Sequence, residues 1–472
     1  MDVRRFFAAV LAGLTAIAAP AWASPGDALP SFGSDSVITV PGGNLSAVAV
    51  QTDGNVVVAG WNQAIAGCLE GALSLARYTP EGVLDPGFGA GGFVCLELTP
   101  GIEVPLAVRV LDDGEIVVAV ALDPGTPGAD PLGAVAIRFL PNGSIDSSFG
   151  VSGVARHDLP NGSRLNAAAV SEDGSVILVG ARFDDPDFTG FVIRFTPGGS
   201  PDPAFGSNGV ATVALPHSDG SLTAVDLPVD GAIVVGGWAT DGATSTGFLA
   251  KLTSSGVLDG SFGLNGIAVV TAEPTAVALL ETGQILSAEA DTNGIVTIRR
   301  RSATGASDPS FTAQVVDDGV SRSVVDIASQ PNGKIVLAGS IDAHASLIRL
   351  LPDGPPDPGF GIDGVAAVQA GQSSQGKAVA IATDGTIYIV GSSLVSPQPV
   401  MGAPDPSWLI AAYEGDDSGR FTDDDGSIHE PDIEAIAELG ITLGCSSDGT
   451  KFCPNDAVSR AQMASFLARA DT

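Results

Sequence analysis

Four histidines, His157, His217, His344 and His429, are the side chains best suited to proton transfer near neutral pH, and they stand far apart in the chain. None lies in a nucleophile-elbow or HExxH context, so neither a hydrolase triad nor a zinc peptidase is indicated. Asp184, Asp185 and Asp187 fall in one short segment and could supply the paired carboxylates of glycoside cleavage. In a chain with 54 acidic residues, such clusters also arise by chance. No catalytic constellation stands out. The sequence therefore reads as a binding protein with no cofactor and no metal, calcium on some carboxylates being the alternative. A surface-associated glycan hydrolase or lyase is the competing reading.

Four cysteines form an even set, Cys68, Cys95, Cys445 and Cys453. None has CxxC spacing, so zinc is not indicated and disulfides are expected. Three pairings exist in principle. Sequence neighbours are the economical choice, because each neighbouring pair falls in what looks like a separate domain.

At the start, Arg4 and Arg5 precede an apolar run ending at Ala21-Trp22-Ala23. That pattern reads as a signal peptide over residues 1–23, since a membrane span needs roughly 20 apolar residues and this run is shorter. No later stretch is long and apolar enough to cross a bilayer. The formal net charge of −33 opposes nucleic acid and anionic lipid as partners and suits an exported protein that stays dispersed. The expectation is a secreted, extracellular or cell-surface monomer.

The elements that would position any site are set by a repeat. The turn Leu84-Asp85-Pro86-Gly87-Phe88-Gly89 returns in variants, its aromatic recurring as Phe32, Phe88, Phe149, Phe205, Phe262, Phe311 and Phe360. Repetition at roughly 50–60 residues marks stacked supersecondary units. In the first unit, Ser36 to Pro41, Leu45 to Gln51, Asn55 to Trp61 and Leu73 to Thr79 read as four strands, the second and third joined by Asp53-Gly54. Runs such as Val56-Val57-Val58-Ala59 are apolar on consecutive positions, so both faces of that strand must be covered. Four-stranded antiparallel units with a doubly covered strand describe propeller blades. Seven units predict an all-β, seven-bladed β-propeller over residues 29–415, with a parallel solenoid as the main competitor.

The fourth strand of each unit carries a basic residue, and eight positions later the turn carries an aspartate: Arg77 with Asp85, Arg138 with Asp146, Arg194 with Asp202, Lys251 with Asp259, Arg300 with Asp308, and Arg349 with Asp357. These are expected to be structural ion pairs pinning the blade-to-blade turns, against the plainer reading of surface charges that recur only because the unit does. At the seventh junction the basic slot holds Ala412, and its turn exists only as Leu29-Pro30-Ser31-Phe32-Gly33 at the other end of the chain. The ring is expected to close there.

Gln51-Thr52-Asp53-Gly54-Asn55-Val56-Val57-Val58-Ala59-Gly60, followed by Leu75-Ala76-Arg77-Tyr78-Thr79-Pro80-Glu81-Gly82-Val83-Leu84-Asp85, resembles the delta-60 repeat, a bacterial β-propeller repeat. The resemblance covers most of residues 29–415. It implies a propeller in an exported bacterial protein and no particular reaction.

Residues 416–420 read as a polar linker, after which helical spacing takes over. Phe421-Thr422-Asp423-Asp424-Asp425, Ala437-Glu438-Leu439-Gly440-Ile441, Phe452-Cys453-Pro454-Asn455-Asp456 and Val458-Ser459-Arg460-Ala461-Gln462-Met463 resemble one S-layer homology module, giving a small α-helical domain over residues 421–472. In that family a Thr-Arg-Ala-Glu segment helps bind anionic cell-wall polysaccharide. The resemblance implies that Arg460 would contact an acidic sugar, although Gln462 replaces the acid and the family usually works with three modules.

Loop lengths point to a second binding region. The longest connections between third and fourth strands, Asn62 to Gly71, Asp123 to Gly133 and Ser393 to Ser407, belong to blades that become neighbours once the ring closes. They predict one raised patch bordered by Trp61 and Trp408, presented to a sugar or a surface protein. The plainer reading is that these tryptophans cap strand ends.

Overall fold

The computed structural model describes residues 25–416, except 35, 63–67, 100, 124–132, 161, 185–186, 218, 228–230, 281, 312, 316–321 and 395–405. The leader over residues 1–23 and the segment 421–472, with Cys445, Cys453 and Arg460, lie outside the described residues. So do most of the three long connections, and with them the raised patch.

Among the described residues, twenty-eight strands form seven antiparallel sheets of four strands each. Each sheet is a blade. In blade one the order from the axis outward is Gly43–Val50, Val56–Asn62, Leu73–Tyr78 and Phe93–Leu96. The inner strand of every blade packs beside that of the next, and Gly43–Val50 also packs beside Ser373–Ile381, so the ring is closed. The second strand is buried along its length, as the unbroken apolar runs require.

Strand Val37–Pro41 departs from the sequence grouping, which placed it first in blade one. It pairs with Ser407–Tyr413 and is the outermost strand of blade seven, so the two ends of the propeller share one sheet. The physical reason is visible in blade one, where Phe88-Gly89 leads into the outer strand Phe93–Leu96. Phe32-Gly33 leads into Val37–Pro41 in the same way. Blade membership therefore starts one strand later than expected, and the basic residues lie on third strands, not fourth.

Seven apolar clusters fill the spaces between blades, and each holds one phenylalanine from the recurring turn. The turns are fixed by the same bonds each time. The Asp85 amide donates to the Arg77 carbonyl and the Phe88 amide to the Asp85 carbonyl, as at five further junctions. At the seventh junction the Leu29 amide donates to the Ala412 carbonyl and the Phe32 amide to the Leu29 carbonyl. The N-terminal turn thus supplies the missing seventh copy, with Phe32 buried edge-on against Tyr388.

Side chains reinforce six of these turns unequally. Arg77 approaches Asp85 to 2.7 Å, Arg138 Asp146 to 2.6 Å, Arg194 Asp202 to 2.5 Å, Arg300 Asp308 to 2.9 Å and Arg349 Asp357 to 2.9 Å. Each of these arginines also lies over the phenylalanine of its turn, 4.5 to 5.2 Å from the ring centre. Arg77, Arg138 and Arg300 reach further, to the carbonyls of Pro141, Pro197 and Pro352 in the next blade. Lys251 makes no direct ion pair with Asp259 among the described residues; its charge still lowers the Asp259 pKa, after larger contributions from bonds donated by Ser261. A lysine lacks the planar fork that spans carboxylate, ring and neighbouring carbonyl together.

Blade six differs in having a fully buried Arg349, 2.9 Å from Asp416 as well as from Asp357. Lys334 lies 2.7 Å from Asp416 and 3.3 Å from Asp357, and Asn332 donates to Asp416. Residue 416, just past blade seven, is thereby clasped to blade six.

Candidate functional site

The inner strands all carry a β-bulge at the same place, between Leu45 and Ala47, Pro105 and Ala107, Leu165 and Ala167, Leu222 and Ala224, Pro274 and Ala276, Val324 and Asp326, and Gly376 and Ala378. A bulge re-aims its extra residue away from the ladder. Here Ser46, Leu106, Asn166, Thr223, Thr275, Val325 and Lys377 form a ring about the axis. The second strand must come close behind the bulge, which explains Gly60, Gly180, Gly237, Gly339 and Gly391. A Cβ on any of them would collide with a carbonyl of the inner strand. Blades two and five, with Val120 and Glu289 at that position, have Pro105 and Pro274 opposite.

Four bulge side chains knit adjacent blades together. The Ser46 hydroxyl donates to the Pro105 carbonyl at 2.6 Å, Asn166 Nδ2 to Leu222 at 2.7 Å, Thr223 to Pro274 at 2.7 Å and Thr275 to Val324 at 2.7 Å. Leu106, Val325 and Lys377 do not continue the pattern.

One residue further along, the ring reads Ala47, Ala107, Ala167, Ala224, Ala276, Asp326, Ala378. Two residues beyond that it reads Ala49, Arg109, Ala169, Asp226, Ala278, Ala328, Ala380. Alanines of the first ring line the wider axial cavity, and Ala47, Ala276 and Ala378 also pack between blades. Lys377, Asp326, Arg109 and Asp226 are therefore charged exceptions to rings otherwise free of charge.

Both carboxylates bridge blades. Asp326 accepts the Ile327 amide and, in blade seven, the Val379 amide, each at 2.9 Å. Asp226 accepts the Leu227 amide at 2.8 Å and the Leu279 amide of blade five at 2.7 Å. Burial nevertheless pushes each pKa up to about 6, against the amide bonds and, for Asp226, the attraction of Arg109. The charge of Asp226 adds to the rise at Asp326.

One cavity opens at the axis and a second lies beside it among blades two, three and four. The first, of about 620 Å³, is lined by the bulge ring, Asn44, Trp61, Asp326 and Lys377. The other, of about 420 Å³, lies toward the hairpin turns and holds Arg109, Glu172, Asp173, Arg194 and Asp226. Arg109 reaches Glu172 at 3.5 Å, whereas Lys377 makes no ion pair among the described residues.

Of the tryptophans expected to border a raised patch, only Trp61 lines a cavity. Trp408 is fully buried between blades seven and one, its indole N–H donating to the Trp61 carbonyl at 2.9 Å. Gly43 leaves the room it occupies, so Trp408 is a packing residue with no face to offer a ligand. Cys68 and Cys95 are joined, Cα atoms 5.5 Å apart, tying the first long connection to the outer strand of its own blade. Asp184 and Asp187 are paired in backbone register at the end of a hairpin, while Asp185 lies outside the described residues. His157, His217 and His344 fall in separate parts of the ring, and His429 is outside the described residues. Among the described residues no three His, Cys, Asp or Glu side chains converge as a metal site would require, and no helix is long and apolar enough to cross a membrane.

The family model described as "Domain of unknown function (DUF5122) beta-propeller" matches residues 51–88, 172–205, 230–262 and 330–360. Each match ends on the phenylalanine of a recurring turn. This is a β-propeller repeat protein. No curated protein matches it. Among solved structures, the propeller is similar to the polysaccharide lyase Uly1, at 13% identity, 78% of this chain, 89% of that one and a TM-score of 0.46. It is also similar to a PQQ-bound aldose sugar dehydrogenase from Streptomyces coelicolor, at 16% identity, 83% of this chain, 100% of that one and a TM-score of 0.38. A protein of unknown function from Bacteroides caccae matches at 11% identity, 70% of this chain, 99% of that one and a TM-score of 0.34. At these values the likenesses carry no argument about activity.

Proposed function

We propose that this is an exported, cell-surface or extracellular binding protein that takes a ligand into the axial channel, with residues 421–472 attaching it to cell-wall polysaccharide or a surface protein through Arg460. One observation carries the channel reading: charge enters rings of small and neutral side chains at Arg109, Asp226, Asp326 and Lys377. Asp226, Asp326 and Arg109 also bond the adjacent blade, but sister blades join their neighbours with alanine or neutral residues at the same positions, so the junction does not need charge there. The Cys68–Cys95 disulfide is compatible with an oxidising compartment. Sedimentation with purified cell walls, for the full chain and for a chain ending at Asp416, tests the anchor: equal sedimentation would remove residues 421–472 from that role. Mass spectrometry of the protein recovered from its host tests export, with Ser24 the expected first residue.

A glycan-acting enzyme is the second reading, favoured by two channel carboxyls with pKa values of about 6, poised to give or take a proton near neutrality. Release of new reducing or unsaturated ends from surface glycans, abolished by Asp326→Asn, would favour it over simple binding.

A further inference from the structure

We propose that the 620 Å³ cavity takes a small carboxylate that also carries hydrogen-bond donors, its anionic end on Lys377 and its donor end on Asp326 and the threonine hydroxyls. This rests on the channel being a binding site and specifies what enters it.

The anionic end follows from Lys377. It lies half-buried at the cavity wall and has no ion-pair partner among the described residues, whereas Lys334 has two. The chain as a whole carries −33 and repels anions at a distance, so one cation, Lys377, in the lining of this cavity favours one compact negative group over a polyanion. The donor end follows from the hydroxyls. Ser46, Thr223 and Thr275 have committed their hydrogens to carbonyls of the next blade and can offer a ligand only lone pairs. Asp326 accepts two amide hydrogens and keeps further acceptor capacity. A wall of acceptors with one cation complements a ligand holding a carboxylate and several O–H or N–H groups. Leu106 adds an apolar stretch that suits its C–H face. The cavity volume fits a molecule of one or two sugar rings or an amino acid.

Sugar acids and amino acids share this chemistry, and titration calorimetry on the full chain separates them. The probes are glucuronate, galacturonate, serine and glutamate, with glucose and serine amide as partners lacking the free carboxylate. The expected result is binding of one carboxylate class, at least ten-fold weaker for its uncharged-end partner. Lys377→Met should weaken binding at least ten-fold, and Lys377→Arg should keep most of it, both with an unchanged melting temperature. Carboxylates that bind no better than their partners, or equally well to Lys377→Met, overturn the assignment. If glucose or serine amide then binds and Ser46→Trp abolishes that binding, the channel remains a site and only the ligand class is wrong. No binding by any probe overturns the proposal outright; wall sedimentation still judges the anchor separately.

Discussion

The turns at the blade junctions and the wall of the channel obey opposite rules. At the turns, backbone bonds and a buried phenylalanine recur seven times, and the arginine–aspartate contact recurs five times with little change. Along the channel the backbone recurs equally well, bulge included, but the side chains do not. A position that stays constant through a repeat answers to something every blade needs, such as packing against its neighbour. A position that varies while its backbone is fixed answers to something outside the blade. That contrast separates fold from function without any functional motif.

The contrast breaks first, and most visibly, at the turns. Arg349→Ala should destabilise the protein by about 3 kcal/mol, because it leaves a buried gap and only Lys334 to neutralise both Asp357 and Asp416. Arg77→Ala, at a more open turn, should cost only about 1 kcal/mol, and urea titration of the two variants checks the ratio. Phe88→Ala should cost about 3–5 kcal/mol. Phe32→Ala should cost as much although its turn has no arginine; a much smaller loss would show that strand Val37–Pro41 alone closes the ring.

Acidity affects the two regions in opposite senses. Asp226 and Asp326 have folded pKa values of about 6, above the ordinary carboxylate range, so they favour folding most when protonated. That contribution is full below about pH 4 and disappears as pH rises through about 6, a loss on the order of 1–3 kcal/mol each. Asp85, Asp146, Asp259, Asp308 and Asp357 have lowered pKa values, chiefly from bonds donated by the residue two positions on; only at Asp357 is the largest single influence burial, which opposes the lowering. Their contribution is present above the ordinary carboxylate range and is lost as pH falls through their folded values. Melting temperature should therefore peak near pH 4–5. The double variant Asp226→Asn, Asp326→Asn should flatten the decline between pH 5 and 7 while leaving the acid side unchanged, as calorimetric scans would show.

The smallest effect on stability should come from Lys377→Met, within about 0.5 kcal/mol, since sister blades hold neutral residues at that bulge. A larger loss would mean that Lys377 supports the ring, and the division between turns and channel would fail at that position.

Much of this was legible in the sequence because packing imposes local rules. Asp53-Gly54 announces a hairpin, and Gly54 indeed has φ of +83°. The phenylalanine turn announces a junction because each blade must bury one aromatic against the next. The assignment of Val37–Pro41 was not legible from strand character alone, since an outer strand of blade seven and a first strand of blade one look alike. Its position just after Phe32-Gly33 was the available clue. Trp408 looked like the border of a loop because the room left by Gly43, hundreds of residues away in sequence, cannot be read locally. The channel residues gave a signal that local patterns hide, six alanines in register with Asp326, which appears only when inner strands are aligned on their bulges.

The clasp at residue 416 has a mechanical consequence. If the tail is a tether, tension on it arrives at Lys334, Arg349 and Asn332 on blade six before it can peel Ser407–Tyr413 away from its partners. Load enters through several polar contacts that must fail together, one blade away from the seam where the first and last strands of the propeller meet. A propeller held in flowing surroundings would be pulled at its reinforced flank, and its seam would be spared.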